Sequence, residues 1–347
     1  MDTGSQAERR FVREVLHAFV TGGPAPSVPE QLDWERLKGI LARHFLFSIF
    51  RRVLDPATIP RKDLAAWNDF TIHVLMMNQR ALRAAARLFS IFSEAGIPAV
   101  ALRGLPLAQT TYPDPALRPM RDVDILIPSG ERKRLLAVLA GHGIRPARVL
   151  RSQFVFNIGT AVFEIHWRFL TPRRYRDSSD FEQWLSSRRA IDTSSGAIYG
   201  LPLDVELLEV VTHAFVHHQV DSLLQLVDIG LIMQKNVDWE RVARWCRDAG
   251  MTRLFRFTCA FANDFLQLGL ESRLEVFGPA PAAEDEQLRT AYTAALFNED
   301  RFGYYLRRKR HLLAVAERPA TKLRQVLRFF TIRELREAAR LALRRPW

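Results

Sequence analysis

Between Pro98 and about Pro202 the chain changes its hydrophobic rhythm, and that change limits what it can fold into. Upstream, apolar residues recur at three and four: Phe11, Val15 and Phe19, then Leu37, Ile40, Leu41 and Phe45, then a longer run from Ala65 to Ala95. This spacing builds amphipathic helices, and Pro56, Pro60, Gly96 and Pro98 punctuate them. In the central stretch short β-forming runs take over: Ala99 to Leu102, Val123 to Ile127, Phe154 to Ile158 and Val162 to Trp167. A helix is expected from Ser129, its N-cap, to about Ala140. Strands alternating with helices imply a mixed α/β unit. From Asp204 the helical period returns and continues to the end. The expected fold is α+β: an N-terminal helical region (1–92), a small mixed sheet core (93–202), and a C-terminal helical region with a basic amphipathic tail (203–347). Arg173 to Ser195, with its serine and threonine clusters, reads as a loop or lid.

Composition removes several function classes. With 347 residues, 48% hydrophobic and 25% charged, the chain suits a folded protein of two domains or one with appendages. Its two cysteines, Cys246 and Cys259, stand in no CxxC pattern, which excludes a disulfide scaffold and a multi-thiolate zinc site. The first residues lack a basic start followed by an apolar core, and no stretch approaches about 18 uninterrupted apolar residues. The expected location is therefore cytoplasmic, without a transmembrane segment.

The net charge of +12 suggests a polyanion partner until it is located along the chain. After residue 300 there are 14 Lys/Arg against 3 Asp/Glu, so everything before is nearly neutral. Basicity belongs to the tail. From Arg307 to Arg345 that tail interleaves Leu312, Leu313, Val326, Phe329, Phe330, Leu335 and Leu341 with arginines. Packing of its apolar stripe on the body is the default reading; a grip on RNA and peripheral contact with an anionic membrane are the alternatives.

The chemistry concentrates in two segments. In Arg121-Asp122-Val123-Asp124-Ile125, side chains two apart on a strand share a face, so Asp122 and Asp124 project together while Val123 and Ile125 enter the core. Two such carboxylates suit hard divalent cations, magnesium above all, with phosphate oxygens completing the octahedron. Two ions roughly 3.5 to 4 Å apart would serve an attacking hydroxyl and a leaving pyrophosphate. Glu164 and His166 share one face of Val162 to Trp167, and if that strand lies beside the first, Glu164 joins the aspartates. Upstream, Gly104 ends a strand and opens a short helix. Its backbone N–H groups, with Arg103, Arg118 and Arg121, are expected to receive a polyphosphate, and His166 to assist.

The run from Leu102 to Ile127, with Gly104, Arg118 and the Asp122/Asp124 pair, followed by Phe163-Glu164-Ile165-His166-Trp167, resembles the nucleotidyltransferases of the polymerase-β superfamily. Within it the chain looks most like the uncharacterised nucleotidyltransferases, and is similar to antibiotic and abortive-infection toxin nucleotidyltransferases. The resemblance implies transfer of a nucleoside monophosphate from an NTP such as ATP to an acceptor hydroxyl, with magnesium and pyrophosphate release. It implies Asp122 and Asp124 as the metal pair, Glu164 as the third acid and Gly104 as the strand-end glycine. Two departures stand out: Leu105 and Pro106 follow the glycine where a second small residue is common, and Arg103 stands where lysine is more frequent. The leading acceptor is a small molecule; a tRNA end, or a non-catalytic nucleotide-binding protein on the same scaffold, are the alternatives.

Two features lie outside these motifs. His213 and His217, four apart on a helix beside His218, lack an intervening HExxH glutamate and read as a packed helix facing the cleft. Asp228, in the apolar run Leu226-Val227-Asp228-Ile229-Gly230, requires a buried partner.

Overall fold

In the computed structural model, residues 4–150, 152–168, 181–218, 220–278 and 284–297 are described. The chain is α+β, with one seven-stranded mixed sheet set among helices. Four helices come first: α1 (Gly4–Thr21), α2 (Trp34–His44), α3 (Phe47–Val53) and the long α4 (Arg61–Glu94). The central unit runs β1 (Val100–Leu102), α5 (Gly104–Thr110), β2 (Val123–Leu126), α6 (Arg132–Gly141), β3 (Arg148–Val149), β4 (Gln153–Ile158), β5 (Ala161–His166), α7 (Phe181–Ser186), β6 (Arg189–Ile191) and β7 (Ile198–Gly200). Then follow α8 (Leu203–His213), α9 (Leu223–Met233), α10 (Trp239–Ala249), α11 (Thr252–Leu266), α12 (Glu271–Leu274) and α13 (Glu284–Leu296).

Local chemistry sets several boundaries. The Asp33 carboxylate accepts from the backbone N–H of Arg36 at 3.0 Å and starts α2; Asp238 does the same for Arg241 at 2.9 Å and starts α10. Gly250, at φ 69°, stops α10 in the left-handed conformation that costs glycine least. Ser129, the expected cap of α6, instead opens a 3-10 turn through Glu131 behind Pro128, and its side chain caps nothing.

The strands lie in the order β3-β4-β5-β2-β1-β7-β6. In β2 and β5 the two-residue period divides the side chains. Val123, Ile125, Phe163 and Ile165 are buried in a core shared with α4 and α6, each such side chain contributing roughly 1.5 to 3 kcal/mol. Asp124, Glu164 and His166 take the alternate positions, on the face that α8 covers.

That second face joins regions distant in the chain. α1 and α3 share one apolar core with α8, α9 and α11. His17 bonds the Leu266 carbonyl at 2.8 Å, the Gln234 side chain donates to Val20 O at 2.5 Å, and buried His44 bonds Leu296 O at 2.8 Å. Residues 173–180 of the expected lid lie outside the described residues; the remainder corrects that expectation, because it forms α7, β6 and a turn at Thr193. The arginine tail also lies outside the described residues. Among those described, no helix is long and apolar enough to cross a membrane.

Candidate active site

Strand register brings the acids together. β1 and β2 pair antiparallel with Leu102 opposite Asp124, and β2 and β5 pair in parallel with Asp124 opposite Glu164 and Leu126 opposite His166. Neighbouring strands are about 4.8 Å apart, so two acids opposite one another on one face are held at coordinating range. One donor atom from each of Asp124, Glu164 and His166 lies within 4.8 Å of the others. His166 Nε2 stands 2.8 Å from Asp124 Oδ1 and 3.8 Å from Glu164 Oε2. From β4, whose Gln153 pairs with His166 in register, the Gln153 amide donates to Glu164 Oε2 and fixes that carboxylate.

Asp122 precedes β2 and stands outside this trio, but it senses the others. Displacement of water from around its carboxyl, then the charges of Asp124 and Glu164, push it up to about 6, against the pull of Arg103 and Arg118. Asp124 behaves oppositely. Its burial would raise it, yet the Arg103 charge and the hydrogen bond from His166 hold it well below the usual carboxylate range.

Arg103 is the centre of this cluster. It sits between β1 and α5 at φ 55°, ψ −114°, a backbone conformation that costs a non-glycine residue on the order of 1–3 kcal/mol. Its Nε donates to Asp124 Oδ2 at 2.9 Å and its Nη2 pairs with Asp124 Oδ1, a fork over one carboxylate. Its Nη1 donates to Glu209 Oε1 at 2.8 Å and lies 2.6 Å from His213 Nδ1. Glu209 was not legible from the motifs. The signal available was three acids, Asp204, Glu206 and Glu209, buried within the apolar helix α8. Burial raises the Glu209 carboxyl, and Arg103 draws it back.

The other expected phosphate ligands lie differently. Arg118 forks onto Asp228, with Nε to Oδ1 and Nη2 to Oδ2 both at 2.7 Å, while Nη1 donates to Pro119 O at 2.5 Å. The Tyr112 hydroxyl adds a 2.7 Å bond to Asp228 Oδ1, so the buried aspartate of α9 has the partners its setting demands. Asn78 of α4 clamps the same segment by donating to Pro115 O at 2.7 Å and Arg118 O at 2.9 Å. The guanidinium of Arg118, expected at a polyphosphate, here braces the loop before β2. Arg121 lies over the Phe45 ring at 4.6 Å and does not join the acids. Gly104 packs against Met120, whose Cγ would lie 2.9 Å from an added Cβ, so close packing explains the glycine here.

His213 faces the cleft, as a packed helix at that position implies, and α8 then widens into a π turn over Ala214–His218. The side chains of His217 and His218 lie outside the described residues.

The donor set fits a divalent cation. Asp122, Asp124 and Glu209 act on a single guanidinium and Glu164 stands beside them, leaving a local excess of negative charge, and two carboxylates with an imidazole stand within mutual coordinating reach.

With the fold and this geometry established, sequence comparison identifies the family. Residues 30–267 match the profile of the uncharacterised nucleotidyltransferases. The chain belongs to that family, and it is a transferase. No curated protein matches it. Among solved structures it is similar to the solution structure of the antibiotic-resistance factor ANT(2'')-Ia, at 13% identity and a TM-score of 0.34, over 56% of this chain and 98% of that one. It is also similar to the crystal structure of ANT(2")-Ia in complex with adenylyl-2"-tobramycin, at 14% identity and a TM-score of 0.32, over 51% of this chain and 93% of that one.

Proposed function

We propose that the protein is a metal-dependent nucleotidyltransferase that moves a nucleoside monophosphate from an NTP to a hydroxyl of a small-molecule acceptor. The observation that carries this reading is the register of β2 and β5, which sets Asp124 opposite Glu164 on a face shared with His166. The acceptor oxygen forms a bond to the α-phosphorus, the bond from that phosphorus to the bridging oxygen breaks, and pyrophosphate leaves. The hydroxyl proton passes to a carboxylate of the cluster.

Asp122, Asp124 and Glu164 are the residues that would hold magnesium. When bound there, the cation supplies charge neutralisation of the transferring phosphoryl group and of the pyrophosphate. The remaining work belongs to the chain. Gln153 orients Glu164, and His166 orients Asp124 through Oδ1. Asn78 and the Arg118–Asp228 brace fix the loop that delivers Asp122. The chain before residue 301 is nearly neutral, so an electrostatic grip on RNA would have to come from the arginine tail and not from the body that carries the site.

Incubation of the full-length protein with each NTP, magnesium and a panel of hydroxyl acceptors, read as pyrophosphate release, tests the proposal. Glu164→Gln should lower turnover by at least about 100-fold, because it removes a charge needed in the transition state. NTP binding by calorimetry without turnover on any acceptor would instead favour the non-catalytic reading, and turnover restricted to RNA would overturn the small-molecule acceptor.

A further inference from the structure

We propose that Arg103 is the resident cation of this site: it holds the Asp124 carboxylate while no metal is bound, and passes to Glu209 of α8 when a divalent cation takes Asp124. The inference rests on the metal reading above and adds to it an exchange between two cations and a positioning role for Glu209.

Three observations support it. First, both oxygens of Asp124 are already engaged, Oδ2 by Arg103 Nε at 2.9 Å, and Oδ1 by Arg103 Nη2 and by His166 at 2.8 Å. A carboxylate offers about four lone-pair sites, and three contacts, two of them from the guanidinium, already engage this one. Metal and guanidinium are like charges, so they compete for Asp124. Second, Arg103 already has a foothold elsewhere, because Nη1 donates to Glu209 Oε1 at 2.8 Å and lies 2.6 Å from His213 Nδ1.

Third, the destination is unfilled. Glu209 is 3% exposed, and its Oε2 has no hydrogen-bond partner among the described residues. A buried carboxylate oxygen left unmatched is costly, and a second guanidinium N–H would satisfy it. The fork now over Asp124 can therefore be reproduced over Glu209. The exchange needs only rotation about the side-chain torsions of Arg103, and the backbone elbow at φ 55° stays as it is. Released from Asp124 but retained by α8, the guanidinium remains inside the cleft, where a triphosphate would find it.

The test is Mn²⁺ binding without nucleotide, read by the electron paramagnetic resonance of free Mn²⁺, on full-length wild type, R103K, R103Q, E209Q and R103Q/E209Q. Near-ultraviolet circular dichroism selects the folded variants. Exchange predicts that R103K binds Mn²⁺ about 10-fold tighter than wild type, because lysine keeps the charge but cannot fork over both oxygens. R103Q carries the same sign should R103K fold poorly. E209Q is expected to weaken Mn²⁺ binding about 5-fold in the wild-type background and to change it little in the R103Q background, since Glu209 acts through Arg103.

Equal affinity of wild type, R103K and R103Q for Mn²⁺ would overturn the exchange and leave the metal reading standing. An equal E209Q effect in both backgrounds would overturn the positioning role, showing a direct field of the carboxylate. Absence of Mn²⁺ binding in every variant would overturn the metal reading itself.

Discussion

Two arginine–aspartate forks lie on the same side of the sheet, and they are built to opposite specifications. Around Arg118 and Asp228 the hydrogen bonding is complete: both aspartate oxygens are matched, Tyr112 adds a third donor, and the remaining guanidinium nitrogen reaches a backbone carbonyl. Around Arg103 and Asp124 it is oversubscribed. One guanidinium serves two acids from different elements, two further carboxylates stand close by, and one oxygen of Glu209 is unmatched among the described residues. A closed fork holds a loop in place, whereas an open one stores unmet demand for positive charge. The difference separates a brace from a site, although sequence chemistry makes the two arginines look alike.

Substitutions can break this comparison, and the largest effect belongs to the brace. Asp228→Asn leaves a buried guanidinium without its counter-charge and should destabilise the fold by about 3–5 kcal/mol in urea unfolding. Turnover per folded molecule at low temperature should fall less than in Glu164→Gln, because the loop that delivers Asp122 is loosened while every proposed metal ligand is kept. If it instead abolished NTP turnover at unchanged stability, Arg118 would be a substrate ligand and the contrast would collapse.

A buried histidine supplies the next effect and sharpens the contrast with the acids. His44 is 1% exposed, accepts from Leu223 N–H at Nδ1 over 3.2 Å, and is pushed down to about 4 by burial against the bond to Leu296 O. The unfolded chain takes the proton near pH 6.5 and the folded one only near 4, so stability should fall as pH drops through that window. The loss amounts to roughly 3 kcal/mol. A His44→Gln variant that kept the same pH dependence of unfolding would assign it elsewhere.

Smaller effects probe the open fork and its neighbour. Asp122 is pushed up to about 6, so metal and proton compete there, and the apparent affinity for Mn²⁺ should decline as pH falls below about 6. Affinity flat from pH 7 to 5 would remove Asp122 from the ligand set. Gly104→Ala meets the flexible Met120 side chain and should cost about 1–2 kcal/mol, recovered in part by Met120→Ala. Loss of NTP binding without loss of stability would restore the glycine to a phosphate turn.

The sequence made some of this legible and hid the rest for physical reasons. The two-residue period of β2 and β5 is a local signal, so the strands carrying Asp124 and Glu164 and the face they share could be read directly. β6 and β7, three residues each, are too short to show a period, and the Ser129 cap misleads because Pro128 opens a 3-10 turn first. Pairings across long separations leave no local trace. Asp228 announced that it needed a partner, but nothing near it in sequence names Arg118, 110 residues away. Glu209 resembles any acid on a helix until the fold presses it against Arg103.

The most direct test of the central claim is to locate Mn²⁺ in a crystal of the full-length protein by anomalous scattering. The predicted peak lies within coordinating distance of carboxylate oxygens from both Asp124 and Glu164. A peak touching neither, with the protein folded and Mn²⁺ bound elsewhere, would contradict the account.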